Sequence, residues 1–94
     1  MKFIETLRDG EAVRGIYFVK QKSTAMTKNG KPYDNVILQD KTGTIDGKIW
    51  DPNSMGIMDF DAMDYIDIKA DVTTFNGVLQ LNIKGTRKVD EGEY

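Results

Sequence analysis

The chain has 94 residues, enough for one domain with a single compact core. Its composition, 39% hydrophobic and 30% charged, excludes a disordered chain, and no apolar run reaches the ~18 residues of a membrane span. The charged start MKFIETLRDGE is unlike a secretory signal peptide, and the lack of cysteine excludes disulfides, so a cytoplasmic location is expected. Histidine is absent too, which removes the common zinc sites and His-based nucleophilic and acid–base catalysis. A binding module without catalytic residues, cofactor or metal is the expected class.

Charge is polarised along the chain. Between Lys20 and Lys48 six lysines face three aspartates, whereas between Ile49 and Asp71 six aspartates face Lys69 alone. Lys84, Arg87 and Lys88 form a further basic group before an acidic end. A polyanion could meet the basic side; ordinary solvated charge is the alternative.

The first expected strand runs from residue 12 to about 24, β-branched and aromatic, with a bend or bulge at Gly15. Asn29-Gly30, followed by Pro32, marks a turn. The second strand is 33–39, with Val36 and Leu38 on one face and Tyr33, Asn35, Ile37 and Gln39 on the other. Asp40-Lys-Thr-Gly43 is a tight turn. The third strand, 44–50, sets Ile45, Gly47 and Ile49 against Asp46, Lys48 and Trp50.

Asp51-Pro-Asn-Ser54 reads as a helix start, so a short helix is expected over 54–63, with Met55, Met58 and Phe60 as its apolar side. The fourth strand is 65–75 and the fifth 78–84, joined by Asn76-Gly77. With that dipeptide as the turn centre, Phe75 faces Val78, Val72 faces Leu81 and Ala70 faces Ile83, which gathers the apolar residues on one side. The order β-β-β-α-β-β predicts an all-β fold: the five-stranded Greek-key OB-fold barrel, with one short helix between strands 3 and 4.

Specific segments resemble a known family: Val13-x-Gly15-x-Tyr17-x-Val19-x-x-Lys22; Thr27-Lys-Asn-Gly-Lys-Pro-Tyr33; Leu38-Gln-Asp-Lys-Thr-Gly43-x-Ile45-x-x-Lys48-x-Trp50-Asp51; and Gly77-x-Leu79-Gln80-Leu81-Asn82-Ile83. Together they resemble the N-terminal OB domain of the YhaM-type (CMP-binding-factor) 3′–5′ exoribonucleases over nearly the whole chain. A broader likeness is to the OB domains of replication protein A and the anticodon-binding domains. The family resemblance implies a module that presents RNA or DNA to a C-terminal HD-type, metal-dependent domain. Residues 1–94 are expected to be one OB domain, either excised from a larger protein, which the ending VDEGEY favours, or a stand-alone OB protein, with 88–94 a tail or the start of a linker.

Candidate contacts follow from strand parity and the fold. Trp50 lies where an OB barrel stacks a base; packing under the helix with Phe60 is the alternative. Tyr33 and Asn35 share the adjacent face, and Phe75 sits at the tip of the last hairpin, unless it only pairs with Val78. Lys22, Lys28, Lys31 and Lys48 are placed to meet phosphates, with Lys84, Arg87 and Lys88 as weaker candidates. Gly43-x-x-x-Gly47-Lys48 has the wrong spacing for a phosphate loop, so its glycines are expected to serve the turn and strand. Asp59-x-Asp61-x-x-Asp64 lacks the glycine and distal Glu of a calcium loop and reads as solvated. The expected function is binding of single-stranded nucleic acid, RNA before DNA and without strong sequence preference, in support of a nuclease domain elsewhere. A protein-interaction or homo-oligomerisation module using Tyr33, Ile37 and Trp50, or an anticodon-type tRNA-binding domain, are the alternatives.

Overall fold

A computed structural model describes residues 3–90. Its strands are β1 (Ala12–Met26), β2 (Pro32–Asp40), β3 (Gly43–Ile49), β4 (Tyr65–Phe75) and β5 (Val78–Lys88), closed into a barrel in the order β1-β2-β3-β5-β4. All neighbours pair antiparallel except β3 and β5, which run parallel. This is the expected OB architecture. No helix among the described residues is long and apolar enough to cross a membrane.

Strand alternation fills the barrel. Val13, Tyr17 and Val19 from β1, Val36 and Leu38 from β2, and Ile45 and Ile49 from β3 point inward. Ile66, Ile68, Ala70 and Val72 from β4 meet Leu81 and Ile83 from β5. Each large aliphatic removed from water contributes roughly 1.5–3 kcal/mol. Burial pushes the Tyr17 hydroxyl up to about 12, with Asp40 adding to the shift.

β1 is long because it serves both halves. Its first part pairs with β4 and its second with β2, and both meet at Phe18. The register shift falls between Val19 and Gln21 rather than at Gly15, which pairs in sequence with Ile68. The β4–β5 register is as expected, with Phe75 opposite Val78, Val72 opposite Leu81 and Ala70 opposite Ile83. Asn76 and Gly77 adopt φ of 52° and 78°, the left-handed pair that a two-residue hairpin requires.

Gly47 has a steric role inside the barrel. A Cβ there would lie 2.7 Å from Ile83 Cδ1 and 3.0 Å from Val36 Cγ2. The third strand can approach these side chains only without a side chain of its own, which fits the strand-glycine reading.

The expected helix over 54–63 does not form. Residues 50–64 make turns instead, closed by Ser54 N–H to Asp51 C=O (3.1 Å) and Ile57 N–H to Ser54 C=O (3.1 Å). Gly56 and the aspartates lower helix propensity, and β5 offers better partners. Thr86 N–H donates to Gly56 C=O at 3.0 Å, Met58 N–H to Thr86 C=O at 3.1 Å, and the Thr86 hydroxyl to Met58 C=O at 2.7 Å. Ile57 thus forms a parallel bridge with Thr86. Of the expected apolar side only Phe60 is buried; Met55 and Met58 are exposed. Met63 takes φ 76° so that its N–H reaches Val19 C=O at 2.7 Å.

Two ordered ends go beyond the sequence expectation. A single 3₁₀ turn, Ile4–Thr6, buries Ile4 and, just beyond it, Leu7 in the core. Its Ile4 N–H donates to Asp40 Oδ2 at 2.7 Å, while Thr42 N–H and hydroxyl hold Oδ1 at 2.7 and 2.6 Å. At the other end β5 runs on to Lys88, and Val89 is buried with its N–H on Tyr65 C=O. Lys88 and Val89, expected within the tail or linker, thus belong to the barrel; residues 91–94 of that expectation lie outside the described residues.

Candidate functional site

The outer surface of β2 and β3 is built by register. Asn35 lies opposite Lys48 and Ile37 opposite Asp46. On the β1 side Ser23 pairs with Asn35 and Gln21 with Ile37. On the β5 side Lys48 pairs with Asn82 and Asp46 with Gln80. Two cross-strand rows result, Ser23–Asn35–Lys48–Asn82 and Gln21–Ile37–Asp46–Gln80. Directly opposed side chains on one face touch, with Cβ atoms about 5 Å apart. Between the rows lies a depression of about 220 Å³ lined by Gln21, Ser23, Asn35, Val36, Ile37, Asp46 and Lys48.

One end of this face is aromatic. Asp34 pairs with Ile49, so the next residues outward, Tyr33 and Trp50, meet. Their ring centroids are 4.8 Å apart with planes inclined by 36°. Trp50 keeps 42% of its surface exposed. Its ring partner is Tyr33, whereas Phe60 is buried with the Lys22 ammonium over its ring.

The Lys48 ammonium donates to Asn35 Oδ1, joining two of the expected residues. Lys28 and Lys31 are exposed in the turn beyond Tyr33. That turn is held by Thr27 N–H to Lys31 C=O and Gly30 N–H to Thr27 C=O, both 2.9 Å. Phe75 is 63% exposed beside Val78 at the opposite, Thr44 end of the face, as the parallel β3–β5 register dictates.

Lys22 is placed differently. Its ammonium donates to Phe60 C=O at 2.6 Å and to Asp59 Oδ1 at 3.2 Å, and sits 4.3 Å from the centroid of the Phe60 ring. It fastens the 50–64 connector to β1, and the hydrogen bond and charge of Lys22 lower the Asp59 pKa. The C-terminal basic group is likewise paired: Lys84 with Asp71 (2.5 Å), Arg87 with Asp67 (3.2 Å) and Lys88 with Asp64 (3.6 Å). Much of the acidic stretch is therefore matched by these cations, whereas Lys28 and Lys31 have no such partner among the described residues.

Sequence reasoning passed over Gln21, Ser23, Gln80 and Asn82. Gln80 and Asn82 were visible as the polar parity of β5, but only the parallel closure onto β3 brings them to this face. No group of three or more His, Cys, Asp or Glu side chains placed to hold a metal occurs among the described residues.

No protein-family model matches the chain. Over 84 residues it is 32% identical to the 3′–5′ exoribonuclease YhaM of Geobacillus sp. (strain WCH70). The match covers 89% of this chain and 26% of the relative, so the chain spans about a quarter of that enzyme's length. Among solved structures it superposes on the second OB-fold domain of replication protein A from Methanococcus maripaludis with a TM-score of 0.69 and 18% identity. That superposition covers 96% of this chain and 95% of the other. The hypothetical protein ygiW from E. coli aligns with a TM-score of 0.60 and 19% identity, over 90% of this chain and 82% of its own. The two structures agree with the fold, and the relative bears out the resemblance carried by the sequence motifs: the chain is an OB-fold barrel homologous to a segment of a YhaM 3′–5′ exoribonuclease.

Proposed function

We propose that the β2–β3 face binds single-stranded nucleic acid, RNA in the first place, and that the barrel presents it to a nuclease domain in a longer parent protein. The observation that carries this reading is the Tyr33–Trp50 ring pair, Trp50 exposed and Tyr33 half-buried, adjoining a polar, lysine-bearing sheet face. Aromatic platforms beside cationic side chains suit single strands, because every base has a π-face and every nucleotide a phosphate. Trp50 and Tyr33 stack a terminal base. Asn35 and Lys48 meet the next nucleotide. Lys28 and Lys31 attract phosphates from the β1–β2 turn, and Phe75 supplies a stacking ring at the far end. Lys22 contributes by fixing the connector. The choice of RNA rests on the name of the homologous enzyme, an exoribonuclease.

The test is a titration with short single-stranded RNA and DNA of equal length, followed by Trp50 fluorescence. The chain has one tryptophan, so the signal has a single origin. Saturable quenching, stronger with RNA, supports the reading. An unchanged signal with both strands contradicts it. A salt-insensitive association with protein, or self-association through this face, would move the assignment to an interaction module.

A further inference from the structure

The face carries a carboxylate where a phosphate-binding surface would avoid one. Asp46 is exposed between Ile37 and Gln80, and it has no hydrogen-bond or ion-pair partner among the described residues. An ionised carboxylate only accepts hydrogen bonds. It repels phosphate and the carbonyl oxygens of bases, and it attracts amino groups.

The neighbouring row has the opposite polarity, and its orientation is fixed by chemistry. An ammonium has donors and no acceptor. The group that Lys48 meets on Asn35 is therefore the amide oxygen, as the structure has it. That leaves the Asn35 Nδ2 hydrogens without a partner among the described residues, together with the remaining hydrogens of Lys48. Asp46 and Lys48 are two residues apart on one face, roughly 6.5 Å along the strand. The depression thus has one acceptor, Asp46, in one row and two donors, Asn35 Nδ2 and Lys48, in the other, and Ile37 supplies an apolar patch for a ring beside them.

We propose that this arrangement selects cytosine over uracil at the position next to the Tyr33–Trp50 platform; the inference rests on the nucleic-acid reading of the face. Cytosine presents an amino donor, a ring-nitrogen acceptor and a carbonyl acceptor along one edge. The amino group meets Asp46, and the two acceptors meet Asn35 Nδ2 and Lys48. Carboxylate acceptance from the cytosine amino group is an established mode of base readout. Uracil presents acceptor, donor, acceptor. Turning it over changes nothing, so a carbonyl oxygen faces Asp46 in either orientation.

The experiment compares labelled oligocytidylate and oligouridylate of equal length by fluorescence anisotropy, with the wild-type chain and with Asp46→Asn. The wild type is expected to bind oligocytidylate about tenfold more tightly. In Asp46→Asn the amide can donate as well as accept, so the ratio is expected to fall towards one while oligouridylate binding strengthens. Asp46 is exposed, so an unchanged melting temperature checks the fold of the variant. Equal binding of both oligomers by the wild type overturns the selectivity, and a ratio that survives Asp46→Asn overturns its assignment to Asp46; either result leaves the face as a binding surface. Binding of neither oligomer overturns the functional reading itself, and the selectivity with it.

Discussion

Tyr33 and Trp50 face one another across the ends of β2 and β3, ring centroids 4.8 Å apart and planes inclined by 36°. The pair rests on one register: Asp34 opposite Ile49 places the two rings side by side on the outer surface. Trp50 was expected to stack or to pack beneath a helix, and the absence of that helix leaves the ring exposed.

Trp50→Ala separates recognition from stability. The variant is expected to lose about 1–3 kcal/mol of oligonucleotide binding, the value of one base–aromatic stack. The fold loses the ring pair and the covered part of the indole, about 1–3 kcal/mol in all, less than for a fully buried ring. Phe60→Ala is the contrast: that ring is 3% exposed, and its loss is expected to cost about 3–5 kcal/mol. Calorimetry on both variants, with binding measured alongside, checks the assignment.

Gly47→Ala tests the barrel's tightest approach. The added methyl must displace Ile83 and press on Val36. Overpacking of this kind costs about 1–3 kcal/mol. A urea midpoint equal to that of the wild type would contradict the geometry.

How much of this was legible in the sequence follows from the range of each interaction. The β4–β5 hairpin was fully readable, because Asn76-Gly77 and the alternation on either side fix one register. The outward parity of Asn35, Lys48 and Trp50 was readable for the same reason. The connector was not. Asn53 and Ser54 imitate a helix start, and nothing local announces that Thr86 will bind Gly56 and Met58 instead. Lys22 reads as a surface lysine until the fold brings Phe60 C=O to it. The Ile4–Thr6 turn is too short for a periodic signal, and its cap, Asp40, comes from another part of the chain. The neighbours of Asp46 depend on the parallel β3–β5 contact, which leaves no mark in either strand alone.

Lys22→Met tests the tether. Removing the charged donor leaves Phe60 C=O without that hydrogen bond, at a cost of about 1–2 kcal/mol. Hydrogen exchange should rise in residues 57–63 before the barrel strands. Oligonucleotide binding should change less than in Lys48→Met, since Lys48 lies on the proposed interface and Lys22 serves the connector.

Asp40 predicts the acid response. Burial pushes its pKa up, but hydrogen bonds from the Thr42 hydroxyl and from the backbone N–H groups of Ile4, Thr42 and Gly43 outweigh this and hold it below the ordinary value of 3.8. A carboxyl with a depressed folded pKa stabilises the fold fully above its unfolded value. That contribution is lost as pH falls from about 3.8 through the folded value. Asp40→Asn should be less stable at neutral pH and show a flatter stability profile below pH 4, measured by urea unfolding at each pH.

The salt dependence of RNA binding bears most directly on the central claim. Two to four phosphate contacts, at about −0.7 each for a single strand, predict a slope of roughly −1.5 to −3 for log affinity against log salt. The signal is Trp50 quenching by a short single-stranded RNA at a series of salt concentrations. Quenching that saturates and weakens along that slope is the predicted result; no quenching, or an affinity independent of salt, would contradict the account.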